Sequence, residues 1–318
     1  MKTNIEWAEH VWNPVRGCSR ISPGCLHCYA ERDAARKNAN PKLPSYRGFA
    51  IFNERREPMW TSKVELLPEM LEIPLRRRKP TVYFVNSMSD LFHESLPEEA
   101  IDRVFAVMAL CPQHTFLVLT KRAERMREYL TAGTCGLDAR RRVQDLLQPS
   151  GSTRHYEEAM RLYEGWPLPN CWLGVSVEND EYRWRIDHLV QTPAAVRFVS
   201  AEPLLGALDL TDCLRDGIPT KEQLAGPLAL HYMRHGSPRL DWVIIGGESG
   251  PGARPFDLAW PRQILADCKA VKVPVFLKQL GTNPREGSFR YALEIDPYKG
   301  GNPMDWPRDL RVRAYPSL

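Results

Sequence analysis

The residues with the clearest capacity for chemistry are three cysteines crowded into one short segment. Cys18, Cys25 and Cys28 lie within an eleven-residue span, and Pro23 with Gly24 predicts a turn between them. The other five cysteines are scattered along the chain. Thiolates are preferred ligands of zinc and of iron–sulfur clusters. The segment therefore predicts a loop that closes around a metal centre.

The number of available ligands distinguishes the two kinds of centre. A structural zinc site is closed by four ligands, and the sequence holds no second Cys-x-x-Cys pair. His10, His27 or His93 could supply a fourth ligand, so zinc remains an alternative. The three cysteines favour a [4Fe-4S] cluster, whose fourth iron stays open for a substrate or cofactor.

The elements that must position this loop follow from the hydrophobic pattern. Six segments are nearly continuous in apolar, β-branched and aromatic residues, as strands covered on both faces should be. They are 81–87, 115–121, 171–178, 197–203, 242–248 and 273–280, and a weaker one spans 10–15. Helical patterns at 97–111 and 257–271 lie between strands, and Ser95 with Glu98 predicts a capping box. This alternation predicts a parallel sheet with right-handed crossovers.

Six or seven such units predict a partial (β/α)6-like parallel barrel with insertions on its rim. Polar residues recur just after several strands, which favours a barrel over a doubly wound sheet. Segments 131–170 and 213–240 break the alternation and are the expected insertions. We therefore expect the barrel over residues 1–281, followed by a C-terminal extension, 282–318, rich in Pro, Gly and Arg.

A three-cysteine loop after a first strand, followed by a partial barrel, resembles the radical S-adenosylmethionine (SAM) superfamily. More closely, residues 1–282 are similar to an uncharacterised phage and bacterial family that carries this three-cysteine motif. The similar motifs are 12–14, the cysteine loop with Tyr29, 85–93, 119–122, 172–178, 200–204 and 246–250. The resemblance implies a barrel of the radical SAM type, a [4Fe-4S] cluster, SAM as cofactor, an electron donor as partner, and a 5′-deoxyadenosyl radical that attacks a substrate.

The sequence departs from the superfamily pattern at three places. The first gap between cysteines holds six residues, where the superfamily has three. His27 stands where an aromatic residue usually packs beside the adenine of SAM. Gly246, Gly247 and Glu248 follow a late strand, whereas the superfamily element that grips the amino group of SAM lies near the second strand. These departures affect the geometry around SAM more than the binding of a cluster.

Strand-end residues are the expected ligands of SAM, because C-terminal strand ends of a barrel face one mouth. Asn86 and Asp90 suit the amino acid end of SAM, and Ser176 and Glu178 suit its ribose. For each residue the alternative is a polar group that merely closes a strand. No residue is assigned to catalysis on the substrate. The other candidate cofactor-binding residues are His27, Tyr29, Ser87, Glu202 and Glu248.

Composition and charge set the class of protein and of partner. The 318 residues are 43% hydrophobic and 26% charged, which excludes collagen-like and disordered chains. The net charge of +4 permits a nucleic-acid partner, and the basic runs 76–79 and 140–142 form either a solvated face or a contact with a phosphate backbone. By analogy with spore photoproduct lyase, the resemblance implies DNA or RNA as substrate.

The location and the main alternative function complete the expectations. The N-terminus lacks a signal-peptide pattern, and no apolar run reaches about 18 residues, so we expect a cytoplasmic protein without a membrane partner. The alternative to an enzyme is a nucleic-acid-binding protein in which zinc or a cluster only staples the N-terminal loop.

Overall fold

The computed structural model describes residues 3, 5–131, 167–214 and 239–316. Within these residues the chain divides into two compact units, Met1–Leu173 and Gly174–Leu318. Most of the two expected insertions, 131–170 and 213–240, lies outside the described residues, as does the basic run 140–142.

Seven strands are hydrogen-bonded into one sheet whose strand order follows the chain. They are β1 (His10–Trp12), β6 (Val82–Val85), β7 (Thr115–Thr120), β8 (Cys171–Ser176), β9 (Val196–Ala201), β10 (Trp242–Gly246) and β12 (Val275–Gln279). The pairs β1–β6, β6–β7, β9–β10 and β10–β12 are parallel. Every residue of β8 and β10 is buried, which explains their continuous apolar sequences. The predicted parallel α/β sheet is confirmed, and its order has no reversal of the doubly wound kind.

The helices of the first unit follow its strands. Helix α3 (Glu98–Leu110) comes after β6 and buries Ile101, Val104 and Phe105, as the periodicity predicts. Helix α4 (Ala123–Thr131) follows β7. The predicted capping box is wrong, because Pro97 is the N-cap of α3 and Glu98 is then the first helical residue instead of the third.

Several small elements between β1 and β6 escape the sequence analysis. They are β2 (Val15–Arg16), α1 (Tyr29–Asn38), β3 (Ala50–Phe52), β4 (Pro58–Trp60), β5 (Glu65–Leu66) and α2 (Pro68–Arg76). Strands β2 and β5 pair antiparallel, and β3 and β4 form an antiparallel hairpin. Ala34 and Ala35 of α1 share an apolar cluster with Trp60 of β4, and Cys18 and Cys28 pack against that cluster. This cluster joins the cysteine loop to the hairpin.

The second unit adds helices α5 (Trp184–Val190), α6 (Thr211–Leu214) and α7 (Ala259–Ala270), the last confirming the pattern at 257–271. Strands β11 (Phe256–Asp257), β13 (Pro284–Glu286) and β14 (Phe289–Arg290) form a separate small sheet. The C-terminal segment continues along β12, where the amide of Leu277 donates to the carbonyl of Val312. No helix among the described residues is long and apolar enough to cross a membrane.

Candidate functional site

The cysteine loop leaves β2 through Gly17, a residue that no other type can replace without distortion. Its φ is +94°, and an added Cβ would collide with the carbonyl oxygen of Lys63. Gly17 also forms a parallel β-bridge with Ser89. The start of the loop is thereby fixed to the segment that follows β6.

The loop ends at the first turn of α1. Pro23–Cys25 forms a 3₁₀ turn, as Pro23 and Gly24 predict, and Cys28 is the N-cap residue of the helix. The side chain of Cys28 makes no capping hydrogen bond. It nevertheless lies at the helix N-terminus, where the partial positive charge favours a thiolate. The last two cysteines are therefore held on ordered backbone.

An ion pair that the sequence analysis missed ties the loop to α1 and the hairpin. Arg20 donates through Nε and Nη2 to Oε2 of Glu31, at 2.9 and 2.6 Å, and through Nη2 to the carbonyl of Pro58. Glu31 is 1% exposed, and its Oε1 accepts the amide N–H of Trp60. One carboxylate therefore connects the loop to the hairpin.

Without a metal, the surroundings of Cys18 and Cys28 favour their protonated thiols. The pKa of Cys18 is raised to about 12, chiefly by burial and also by nearby Asp90, while Arg122 opposes both. Burial also raises the pKa of Cys28, against the lowering effect of the amides of Glu31 and Ala30. The other two cysteines add to the pKa shift of Cys18, so the three sulfurs interact electrostatically. Metal binding here must release protons.

The donor set of the loop consists of three thiols. Among the described residues, no group of three or more His, Cys, Asp or Glu side chains converges on a point where one metal ion would sit. Thiolates around a single zinc ion stand about 3.8 Å apart, given Zn–S bonds near 2.3 Å. The three thiols could also serve as ligands of a cluster with one open iron, and His27 lies in the same loop as a candidate fourth ligand.

The candidate fourth zinc ligands differ in their surroundings. His93 is 2% exposed, and both of its ring nitrogens are hydrogen-bonded. Nδ1 accepts the amide N–H of Ser95 at 3.1 Å, so Nε2 carries the proton and donates to Oγ of Ser19 at 2.8 Å. His10 begins β1, and His27 lies partly exposed in the loop itself. In this arrangement His93 supports the loop and offers no lone pair to a metal.

Asn86, at the C-terminal end of β6, has a buried donor without a partner. Its backbone is left-handed, with φ +61°, and its side chain is 3% exposed. Oδ1 accepts the amide N–H of Val15, whereas Nδ2 has no hydrogen-bond partner. Leaving a buried donor unpaired is costly, and such groups are rare in proteins. The Nδ2 group of Asn86 is therefore suited to a ligand acceptor.

Two more predicted residues lie beside Asn86. The hydroxyl of Tyr29 donates to the carbonyl of Ser87 at 2.8 Å, and the hydroxyl of Ser87 donates to Oδ1 of Asn13 at 3.1 Å. Tyr29 is 59% exposed although it begins α1 directly after Cys28. The structure thus brings Tyr29, Asn86 and Ser87 together beside the cysteine loop, and their contact with SAM stays a prediction.

Asp90 is placed at the same strand end but is already fully engaged. Oδ1 accepts from the amide of Phe92 and from the hydroxyl of Thr120, the latter at 2.6 Å. Oδ2 accepts from the amide of Lys121 at 3.1 Å and from Nη1 of Arg122 at 3.2 Å. Asp90 thereby joins the ends of β6 and β7. Its contact with SAM stays a prediction.

Arg122, two residues after the end of β7, approaches the cysteine loop. It is 6% exposed, and its guanidinium donates from Nε to Oε1 of Glu94 at 2.8 Å. Nη1 also faces Sγ of Cys18 at 3.9 Å, and Nη2 donates to Oγ of Ser19 at 2.7 Å. Residue spacing alone could not reveal this contact between a buried cation and a candidate ligand.

In the second unit, each strand-end glutamate is paired with a cation. The pair after β8, Glu178 with Arg185, is completely buried, at 0% and 1% side-chain exposure. The other two pairs are partly exposed. Ser176 is buried as well, and its carbonyl accepts a hydrogen bond from the cation of the first pair. The predicted contacts of these residues with SAM stay predictions. The pairs are Glu178 with Arg185, Glu202 with Lys278, and Glu248 with Arg254.

The glycines before Glu248 make room for neighbouring groups. A Cβ on Gly246 would lie 3.2 Å from the carboxyl carbon of Glu202, and a Cβ on Gly247 would collide with the carbonyl of Leu280. Close packing therefore accounts for the two glycines at these positions.

The sequence model of a family described as proteins of unknown function, DUF5131, matches residues 2–305. The chain belongs to the DUF5131 family. No curated protein and no solved structure matches it. All the candidate site residues of this DUF5131 chain, from Cys18 to Glu248, fall within the matched span.

Proposed function

We propose that this DUF5131 protein is an iron–sulfur enzyme of the radical SAM type. Cys18, Cys25 and Cys28 would hold a [4Fe-4S] cluster, with the fourth iron open to SAM. The observation that carries the proposal is a loop with three thiols, fixed beside the end of β6, where Asn86 offers an unpaired donor. Three ligands and a neighbouring polar group are what an open iron requires.

The residues of the first unit would have three roles, which are to bind iron, to hold the loop and to bind SAM. The three thiolates bind iron, and Arg20 with Glu31 holds their loop in place. Nδ2 of Asn86 would donate to the carboxylate of SAM. When bound, the cluster would pass one electron from a reductant to SAM, which splits into methionine and a 5′-deoxyadenosyl radical that takes a hydrogen atom from the substrate.

A nucleic-acid partner is supported by a basic surface beside the loop. Between residues 36 and 63 six basic side chains are exposed, and the hairpin among them exposes Ile51, Phe52 and Met59. Basic groups follow a phosphate backbone, and aromatic side chains stack on bases. This surface also supports the alternative of a metal-stapled binding protein without radical chemistry. The six basic residues are Arg36, Lys42, Arg47, Arg55, Arg56 and Lys63.

The test is anaerobic purification followed by a cleavage assay. We expect about four irons and four sulfides per chain, as a [4Fe-4S] cluster requires. Incubation with SAM and dithionite should then release 5′-deoxyadenosine. Cys25→Ala is the matched control and should lack both the cluster and the product.

Other outcomes decide against the proposal. One zinc per chain without sulfide supports the metal-stapled alternative. A cluster that cleaves no SAM at millimolar concentration retains the iron–sulfur assignment and removes the radical chemistry. Salt-dependent binding of single-stranded DNA or RNA, weakened by Arg55→Glu with Arg56→Glu, would locate the nucleic acid on the hairpin surface.

A further inference from the structure

We propose that Arg122 is a positioning residue that sets the reduction potential of the cluster through Cys18. The inference rests on the proposed cluster and goes beyond it, since it assigns a role to a side chain that binds neither iron nor SAM. Its basis is a buried guanidinium with one N–H directed at a candidate iron ligand.

Every N–H of this guanidinium has a defined acceptor. Nε donates to Glu94, and Nη1 faces both Oδ2 of Asp90 and Sγ of Cys18. Nη2 reaches the carbonyl oxygen and the hydroxyl of Ser19. An arginine has five such donors in a rigid fork, and here all five are accounted for. These acceptors surround the guanidinium and fix its orientation toward Cys18.

The effect on a cluster follows from charge. Reduction adds one negative charge to a centre that already carries three thiolates. A cationic N–H beside a ligating sulfur stabilises the reduced state more than the oxidised one, and hydrogen bonds to sulfur are a main means of tuning cluster potentials. Asp90 and Glu94 partly offset the charge, but Glu94 is 62% exposed and screened by water. Arg122 should therefore make the cluster easier to reduce.

A structural role alone is tested with a nearby arginine, Arg125 on α4. Arg125 donates to the carbonyl oxygens of His93 and Leu96, so it braces the same segment from α4. Both of these bonds go to backbone carbonyls of that segment, and neither goes to Cys18. Arg125→Gln is thus a matched control, which removes a brace of the segment and leaves the contact between Arg122 and Cys18 in place.

The experiment compares the reconstituted wild-type protein with Arg122→Gln, Arg122→Lys and Arg125→Gln. Iron content is measured first, then the reduction midpoint by titration followed in the visible spectrum. We expect Arg122→Gln to shift the midpoint to lower potential, Arg122→Lys to restore part of the shift, and Arg125→Gln to match the wild type. Glu94→Gln, at an exposed position, should shift the midpoint in the opposite direction because it removes a negative charge.

The outcomes separate this inference from the proposed function. Full iron with a wild-type midpoint in both Arg122→Gln and Glu94→Gln overturns the role of Arg122 and leaves the cluster in place. If Arg122→Gln does not fold, Arg122→Lys decides, since it keeps the cation but loses the fork that faces Cys18; full iron with a wild-type midpoint in that variant overturns the role of the guanidinium. A wild-type chain that takes up no iron and sulfide overturns the proposed cluster and this inference together.

Discussion

Asn86 accepts the amide N–H of Val15 through Oδ1 at 3.2 Å, while its own Nδ2 stays buried without a partner. The bond connects the end of β6 to β2, the strand that leads into the cysteine loop. A buried unpaired donor costs about 1–3 kcal/mol. A ligand that accepts from Nδ2 would recover that free energy, which makes this atom the best-defined point for testing SAM binding.

Asn86→Asp should weaken SAM binding and preserve the fold. The substitution keeps the oxygen that accepts from Val15, and Asp, like Asn, tolerates a left-handed backbone. It replaces the free N–H donor with a carboxylate oxygen, which repels the carboxylate of SAM. Losing a charge-assisted hydrogen bond of about 1.5–3 kcal/mol lowers affinity roughly ten- to hundredfold. The measurement is a SAM titration followed by the electron paramagnetic resonance signal of the reduced cluster.

Asn40→Asp is the matched control for this titration. Asn40 is exposed, and its Oδ1 also accepts a backbone N–H, that of Lys42, at 3.0 Å. This variant should bind SAM as the wild type does. Equal affinity in Asn86→Asp and wild type would remove Asn86 from the SAM site and leave the assignment of the cysteines unaffected.

Single replacements of the loop cysteines should each abolish the cluster. Cys18→Ala, Cys25→Ala or Cys28→Ala removes one of three thiolates, so iron content and visible absorption should both be lost after reconstitution. Cys111→Ala should keep the cluster, because Cys111 is buried at the end of α3 and can only affect packing. Full iron occupancy in Cys25→Ala would contradict the ligand set.

Strand positions were predictable because each of these strands buries almost all its residues. The pattern at 115–121 corresponds to β7, Thr115–Thr120, and the pattern at 242–248 to β10, Trp242–Gly246. Strands β3 and β4 escaped, because their outward residues Ile51 and Met59 are apolar and break the alternation of a surface strand. The ends of a buried strand can be predicted from the local sequence pattern. A short hairpin cannot, because its formation depends on contacts with other elements.

In the candidate site, too, local sequence patterns predict some features, whereas others depend on tertiary contacts. Residue type and strand position identified Asn86 and Glu178, and both lie where expected. The partner of Glu178 is Arg185 on α5, and the partner of Cys18 is Arg122 after β7. Such pairs are created by tertiary packing, so no local pattern could have indicated them.

Arg185→Met should strongly destabilise the protein. It leaves the carboxylate of Glu178 buried without its cation and also removes the hydrogen bond to the carbonyl of Ser176. Breaking a buried ion pair from one side costs about 3–5 kcal/mol. A clear fall of the urea unfolding midpoint is expected, measured by circular dichroism.

Arg76→Met provides the comparison for Arg185→Met. Arg76 pairs with Glu72 on the surface of α2, where both side chains are more than half exposed. Exposed pairs contribute about 0–1 kcal/mol, so the midpoint should hardly change. Equal losses of stability in the two variants would show that burial gives the Glu178–Arg185 pair no greater contribution than a surface pair.

Acid should destabilise the C-terminal part of the second unit through Asp305. Burial would raise the pKa of this carboxyl, but hydrogen bonds from the amides of Ile295, Asp296 and Glu294 outweigh it, and the pKa lies below its ordinary value. A pKa that is lower in the folded than in the unfolded chain stabilises the fold above the unfolded value, about 3.9. That stability is complete near neutral pH and is lost as pH falls from about 4 through the folded pKa.

Asp305→Asn isolates this contribution. An asparagine has one acceptor oxygen in place of two and carries no charge, so the variant should be less stable than the wild type near neutral pH. As the pH falls below about 4 the wild-type carboxylate protonates, and the difference between the two urea midpoints should shrink. Asp267→Asn on α7, whose carboxylate accepts from one side-chain amide, that of Gln263, is the control for removing a carboxylate, and it should lower the urea midpoint near neutral pH less than Asp305→Asn does. A difference between Asp305→Asn and wild type that stays constant from neutral to acid pH would show that Asp305 acts by shape and not by its charge.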